Sequence, residues 1–336
     1  LLLLGLVFAW AYLYLGSSQK SVCKITSWLC AKSKDDKMYN ALIVGAGQIA
    51  GGFDDINDDC ILTHAHAYVK NSSIDLLGFY DIDEKKAQFM AKKWNTKCLY
   101  SLNEAQNVDI VSICVPDEYH AQMASKVATL LKPKIIFLEK PVCKDKKEIE
   151  ILKQIQIPIL VNYSRNFSKS FQNLAHQIKN NEFGKYQCGS AFYTKGFIHN
   201  GSHIINLLNL LLGEIKESST FNAFCDFYDD DATKSVILTF EDNKKVVING
   251  CDCNNYTIFE LDLLFEKARI RMLDSGFLVE IYSVKDNDKF KGYKTIAPKK
   301  SYKTDLDFAM ANAVDNIIAF LNGNEKLLCT LEDGYK

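Results

Sequence analysis

The apolar run Ala41-Leu42-Ile43-Val44 leads into Gly45-Ala46-Gly47-Gln48-Ile49-Ala50, a G-x-G-x-x-A turn. Glycine at 45 permits a tight turn. Glycine at 47 lets the backbone approach a pyrophosphate resting on the N-terminus of the helix that follows. A second apolar run, 76–80, ends at Asp81, whose carboxylate suits the two hydroxyls of an adenosine ribose and repels a 2′-phosphate. No arginine stands near it, although Lys85 and Lys86 do, so the pattern favours NAD over NADP. Asp81 follows Gly45 by 36 residues, more than the roughly 20 of the usual fingerprint. The excess is assigned to 51–62, an acidic loop before a helix starting at Thr63. Glu139-Lys140-Pro141 sets an ammonium just past another apolar run, where ligands bind in open α/β sheets. Arg165, one of three arginines in the chain, can bind an anionic group or pair with an acid across a domain interface.

The elements that position these residues follow from the hydrophobic pattern. Short apolar runs at 41–44, 76–80, 109–115, 135–138 and 157–161 alternate with helical patterns at 83–94, 119–131 and 144–154. This alternation predicts a doubly wound parallel sheet with crossover helices, a dinucleotide-binding domain over 38–161. From 162 the rhythm changes. A helix over 168–180 and a strand over 185–193 precede a helix over 202–212, with Ser202 as N-cap and Gly213 past its end. Strand-like runs follow at 219–227, 233–240, 244–250, 257–265, 268–273 and 277–284. The last long helix spans 305–322, with Leu306, Met310, Val314, Ile317 and Leu321 near helical spacing. The pattern predicts an α/β chain whose second domain, 162–336, is α+β with an open, mostly antiparallel sheet. Thr330-Leu331-Glu332-Asp333 has the form of a helix N-terminal cap. It is read as the start of a helix cut short by the end of the chain.

Composition bounds the rest. The 336 residues are 48% hydrophobic and 24% charged, which supplies two cores and excludes a disordered chain. A net charge of −1 gives no general attraction to nucleic acid. Eleven cysteines, an odd number with no CxxC, argue for reduced thiols in the cytoplasm rather than a disulfide framework or zinc site. Cys251-x-Cys253 is placed in a strand, and His64 and His66 are assigned structural roles; no metal site is identified. The first charge is Lys20, so residues 1–19 meet the length of a marginal membrane span. The five lysines of 20–37 would then put the rest of the chain on the cytoplasmic side. No Met and no basic segment precede the run, and 1–37 is read as a leader, either a tether or an artefact upstream of Met38, the second being favoured.

Further motifs recur in a telling order. Cys114-Val115-Pro116-Asp117-Glu118-Tyr119-His120 follows the strand at 109–115, and Asn162-Tyr163-Ser164-Arg165 opens the second domain. His199-Asn200-Gly201-Ser202-His203 precedes the helical Ile204-Ile205-Asn206-Leu207-Leu208, and Leu212-Gly213-Glu214-Ile215 closes that helix. With the glycine turn and Glu-Lys-Pro, these resemble the glucose–fructose oxidoreductase / inositol dehydrogenase (Gfo/Idh/MocA) family over about 38–336. The resemblance implies a Rossmann domain, a nicotinamide cofactor, a small sugar, polyol or sugar-derivative substrate, and a homo-oligomer formed through the second sheet. It implies cofactor contacts from Gly45, Gly47, Gln48, Ile49, Asp81, Pro116, His120, Glu139 and Lys140. It implies a substrate side made by Lys140, Arg165, His199, Asn200 and His203.

Lys140 and His203 are the catalytic candidates. The matching lysine of the family contacts the reacting hydroxyl or carbonyl, and an ammonium there stabilises a developing alkoxide. His203, at a helix start whose dipole disfavours imidazolium, is suited to accept the proton as hydride leaves carbon. The chain also departs from the family. His199 and Asn206 stand where an Asp is common, and Asp117 where an Asn is common, so the usual carboxylate partner of the base is in question. Three activities fit: an NAD-dependent dehydrogenase, an NAD-using glycosidase of the same family, and a non-catalytic NAD-binding sensor.

Overall fold

The computed structural model describes residues 37–335, and the leader at 1–36 lies outside the described residues. The first sheet is built from β1 (Tyr39–Val44), β2 (Ile74–Tyr80), β3 (Lys97–Leu99), β4 (Ile110–Ile113), β5 (Ile135–Leu138) and β6 (Ile159–Val161). All are parallel, in the order β3-β2-β1-β4-β5-β6. The strands read as near-continuous apolar runs because helices cover both faces. These include α1 (His64–Lys70), α2 (Glu84–Lys93), α3 (His120–Leu130) and α4 (Lys146–Lys153). Asp83 caps α2 by accepting from the amides of Lys85 and Lys86, and Asp145 caps α4 in the same way.

Register aligns the ends of the strands. Val44 pairs with Tyr80 and Ile113, Ile113 with Leu138, and Leu138 with Val161. The next residue of each strand therefore falls on one line along the carboxyl edge: Gly45, Asp81, Cys114, Glu139 and Asn162. The row is tied by backbone bonds from Gly45 N to Tyr80 O, Cys114 N to Val44 O, Glu139 N to Ile113 O and Asn162 N to Leu138 O, at 2.7–3.1 Å.

The second domain opens with α5 (Lys169–Lys179), β7 (Tyr186–Tyr193) and α6 (Ser202–Leu212). It continues with β8 (Ile215–Phe224), β9 (Thr233–Phe240), β10 (Lys245–Gly250), β11 (Phe259–Phe265), β12 (Ala268–Leu273), β13 (Leu278–Asp286) and β14 (Lys294–Lys303). Eight strands run in the order β14-β13-β12-β11-β7-β10-β9-β8, antiparallel except for the β7–β10 pair. Alternating burial along β11 and β12 marks one face packed and one facing solvent. Phe171 and Leu174 of α5, with Ile204, Leu207, Leu208 and Leu211 of α6, fill the packed face.

The chain then returns. Met310, Ala313, Val314 and Ile317 of α7 (Ala309–Leu321) join the core of the first sheet, as does Cys329. Val161 N donates to Cys329 O at 2.9 Å. A boundary at 161/162 separates the two sheets in sequence, but the closing helix packs on the first. The expected cap at Thr330 is present: its hydroxyl donates to Asp333 Oδ2 at 2.7 Å at the start of α8 (Leu331–Tyr335). Cys251 and Cys253 lie beyond β10 rather than in a strand. Among the described residues no helix is long and apolar enough to cross a membrane.

Candidate functional site

At the end of β1, Gly45 has φ +99°, and a Cβ there would sit 2.5 Å from the Cys114 carbonyl oxygen. Only glycine fits so close a pass between two strands. The next amide, Ala46 N, donates to Asp81 Oδ2 at 2.7 Å, while Asp83 N donates to Asp81 Oδ1 at 2.8 Å. Asp81 is thereby fixed against the glycine turn. Gly47 is exposed, and a Cβ on it would meet nothing within 4 Å. Its missing side chain serves no packing inside the protein and leaves open room beside the backbone.

The helix expected after the glycine turn is a single π turn, Gln48–Gly52. Lys93 Nζ donates to the carbonyls of Gly51 and Asp54 at 2.8 and 2.6 Å, and Trp94 Nε1 donates to Gly51 O at 2.9 Å. These bonds take carbonyls that a continuing helix would use. The acidic loop then runs to Thr63, whose hydroxyl caps α1. Asp54 anchors that loop, accepting from Leu62 N at 2.6 Å and Thr63 Oγ1 at 2.5 Å and lying 2.9 Å from His66 Nδ1.

Pro116 is exposed ahead of a short turn at Asp117–Tyr119. His120 is buried, with Nδ1 2.7 Å from Pro141 O and Nε2 3.0 Å from Val115 O. Both ring nitrogens face backbone, so His120 braces the 114–116 loop against the 139–141 loop. Glu139 likewise faces the core rather than an open cleft. Its Oε1 lies 2.8 Å from His64 Nε2 and accepts from Asn162 Nδ2 at 2.6 Å. His64 Nδ1 meets Ser112 Oγ at 2.8 Å, and Ser112 meets Tyr68 OH at 2.6 Å. Burial alone would raise the Glu139 pKa, but His64, Asn162 and the Lys140 charge hold it below the usual carboxylate value. Glu139 thus anchors the loop that carries Lys140.

Lys140, Arg165, His199, Asn200 and His203 line one cavity of about 410 Å³, together with Lys195, Tyr228, Phe259 and Ser275. Lys140 Nζ donates to His199 O at 3.2 Å. Burial lowers its pKa, with Arg165 acting the same way against the carboxylates of Glu139 and Asp117. The His203 ring lies edge-on between Tyr163, 5.4 Å away, and Phe259, 6.3 Å away. Burial, then the charges of Lys140 and Arg165, drive its pKa well below 6.5. His203 is the second residue of α6, so it lies in the first turn of that helix. Gly201, not Ser202, is the N-cap of α6, and a further turn, Phe197–Gly201, precedes it.

His199 is not a relay partner of His203. Its Nδ1 lies 2.8 Å from Asp231 Oδ2 and its Nε2 3.2 Å from Asp117 Oδ2, and its ring stacks 4.0 Å from Tyr228. It therefore joins a loop of the first domain to the second. Burial would raise the Asp231 pKa, but the His199 ring and the amides of Ile198 and His199 lower it. Asn206 turns away from His203, accepting from Asn166 Nδ2 at 2.5 Å and donating to Asp333 O at 3.2 Å. Among the described residues no carboxylate bonds to the His203 ring. Asn200 Nδ2 donates to Thr194 O at 2.8 Å. Arg165 is buried, with one guanidinium nitrogen donating to Ser275 O at 2.5 Å and its carbon 4.1 Å from the Phe259 ring centre. Burial alone lowers its pKa to about 10. Asp231, Tyr228, Lys195 and Phe259 carry no sequence signal. Asp231 is one of three consecutive aspartates, and only the fold brings it to His199.

Residues 39–156 match the model of an oxidoreductase family with an NAD-binding Rossmann fold, Gfo/Idh/MocA. Over those residues the chain is similar to that family. A search of curated proteins finds no match. Solved structures share the fold across both domains. A protein from Desulfitobacterium hafniense, provisionally named an NADPH-dependent oxidoreductase, superposes with a TM-score of 0.73 at 16% identity, covering 88% of this chain and 92% of that one. UDP-N-acetylglucosamine 3-dehydrogenase from Acidithiobacillus ferrooxidans gives 0.67 at 16% identity, covering 88% and 92%. The WlbA dehydrogenase from Bordetella pertussis, in complex with NADH and UDP-GlcNAcA, gives 0.70 at 16% identity, covering 89% and 92%. The residues present fit a dinucleotide: Gly47 leaves room beside the backbone that protein atoms do not fill, and Asp81 stands beside it at the strand end.

Proposed function

We propose that the protein is an NAD-dependent oxidoreductase acting on a hydroxyl or carbonyl of a sugar, polyol or sugar derivative. The observation that carries this reading is the joint presence of Lys140 and His203 in one cleft beyond the carboxyl edge of the parallel sheet. Gly45, Gly47, Gln48 and Ile49 would hold the pyrophosphate, Asp81 the adenosine ribose, and the Pro116 turn the nicotinamide side. Asp81 favours NAD over NADP, since a 2′-phosphate beside it would meet a like charge. When bound, the nicotinamide supplies hydride transfer to or from substrate carbon.

The remaining chemistry belongs to the chain. The Lys140 ammonium, fixed by the buried Glu139 loop, orients the reacting oxygen and stabilises negative charge as it develops there. A ring nitrogen of neutral His203 takes the hydroxyl proton on oxidation and returns it on reduction. Aromatic walls from Tyr163 and Phe259 limit water around that ring. His203→Ala and Lys140→Ala are each expected to lower turnover about 10²–10⁴-fold while NAD affinity is kept. Near-normal turnover in both variants, read by NADH absorbance on a sugar and nucleotide-sugar panel, would sink the assignment.

A further inference from the structure

We infer that the cleft is built around an anion, so that the substrate is an acidic sugar derivative carrying a carboxylate or phosphate rather than a neutral polyol. This rests on the proposed oxidoreductase reading and narrows it.

Three cations, Lys140, Arg165 and Lys195, line the cavity, and among the described residues no Asp or Glu lines it. Two carboxylates stand just outside it, and both act on Lys140. Glu139 is bonded to His64 and Asn162, and Asp117 faces His199 and Lys144. Arg165 is the clearest case. It is 9% exposed, yet its contacts are one backbone carbonyl and the face of Phe259, and its Nε has no hydrogen-bond partner. The other two arginines of the chain are less buried and both face carboxylates, Arg269 at Asp262 and Arg271 at Asp262 and Glu280. Taking a guanidinium out of water is unfavourable unless a counter-charge meets it. Among the described residues no protein counter-charge does.

Lys140 and Arg165 repel each other, although the carboxylates of Glu139 and Asp117 offset the charge at Lys140. Lys195 directs its ammonium over the Phe227 ring at 4.9 Å, with no acid among the described residues paired to it. A ligand anion would supply the partner that Arg165 lacks, with the two lysines beside it adding attraction. The planar guanidinium suits the oxygens of a carboxylate or phosphate. Neutral His203 adds no competing charge and stays available for the proton.

The test uses the full chain with NAD and matched probes: glucuronate and glucose 6-phosphate against glucose, and gluconate against sorbitol. Calorimetry reads binding and absorbance reads NADH. Acidic members should bind at least about tenfold more tightly than their neutral partners, and added salt should narrow the gap. Whichever of carboxylate or phosphate binds better identifies the group. Arg165→Gln should cut affinity for the acids about 10–100-fold, shrinking the discrimination, and Arg165→Lys should restore part of it. Lys195→Gln, at a half-buried position, gives a second reading should Arg165→Gln fold poorly. Equal binding of acid and neutral probes, or failure of every acid to bind, overturns the anion site. NADH formation from neutral probes with no acidic preference keeps the oxidoreductase reading and removes this one. Acid binding without NADH formation does the reverse.

Discussion

The two glycines of the phosphate turn make opposite predictions, and the geometry sets their sizes. Gly45→Ala must place a methyl group at φ +99°, 2.5 Å from the Cys114 oxygen and 2.6 Å from its carbonyl carbon. The left-handed backbone costs about 1–2 kcal/mol for an L-residue. The clash adds about 1–3 kcal/mol, since a strand carbonyl cannot swing aside as a side chain does. The sum of about 2–5 kcal/mol is a large share of ordinary domain stability, about 5–15 kcal/mol. At roughly 2–4 °C per kcal/mol, Tm should fall by roughly 4–20 °C. Gly47→Ala meets nothing within 4 Å, and φ at Gly47 is −84°, which alanine adopts freely. Its stability should stay within about 0.5 kcal/mol of the parent. The same methyl would fill the space left for a pyrophosphate, and an overpacking cost of about 1–3 kcal/mol weakens NAD binding roughly 5- to 150-fold. Scanning calorimetry without cofactor and titration calorimetry with NAD separate the two effects. A Gly47→Ala protein that binds NAD like the parent would refute the cradle, and an unchanged Tm for Gly45→Ala would refute the clash.

Two further outcomes follow from charge. Because its surroundings keep His203 neutral well below 6.5, the acid limb of kcat/KM for oxidation should lie below that value; a limb centred at or above it would assign the base elsewhere. Glu139→Ala strips the partner from His64 and Asn162 and should destabilise the chain by about 3–5 kcal/mol, measured by denaturant unfolding. The pH sense is fixed by the depressed Glu139 pKa. The unfolded carboxyl, near 4.5, takes its proton first, so the contribution is complete above 4.5 and is lost as pH falls through the lower folded value. Glu139→Gln should flatten that part of the acid-unfolding curve, and an unaltered curve would count against the pairing.

The sequence carried the parallel sheet, the glycine turn and most helix limits, because these rest on local signals: buried runs, caps and turn residues. Asp83, Asp145 and Ser168 cap helices within a residue or two of their expected starts. Signals failed where a distant group decides the outcome. The π turn at Gln48–Gly52 depends on Lys93 and Trp94, on the far side of the second strand. Strand β14 is lysine-rich, holds Pro298 and is mostly exposed, so its composition hides it, although such residues suit a sheet edge. In the site, Lys140 and His203 were legible from motifs. The turning of His199 toward Asp231 and of Glu139 toward His64 was not, since each pairing joins residues far apart in the chain.

The return of α7 to the first core ties the order of synthesis to the order of folding. Residues that complete the wall of the cofactor domain, Met310 through Cys329, leave the ribosome after the whole second sheet. Until then the first sheet has an open apolar flank, and its last strand lacks the backbone bond that Cys329 offers to Val161. The first core is complete only once residues made after the second sheet have packed on it. A half-made chain therefore exposes apolar surface on that flank, a condition that favours aggregation.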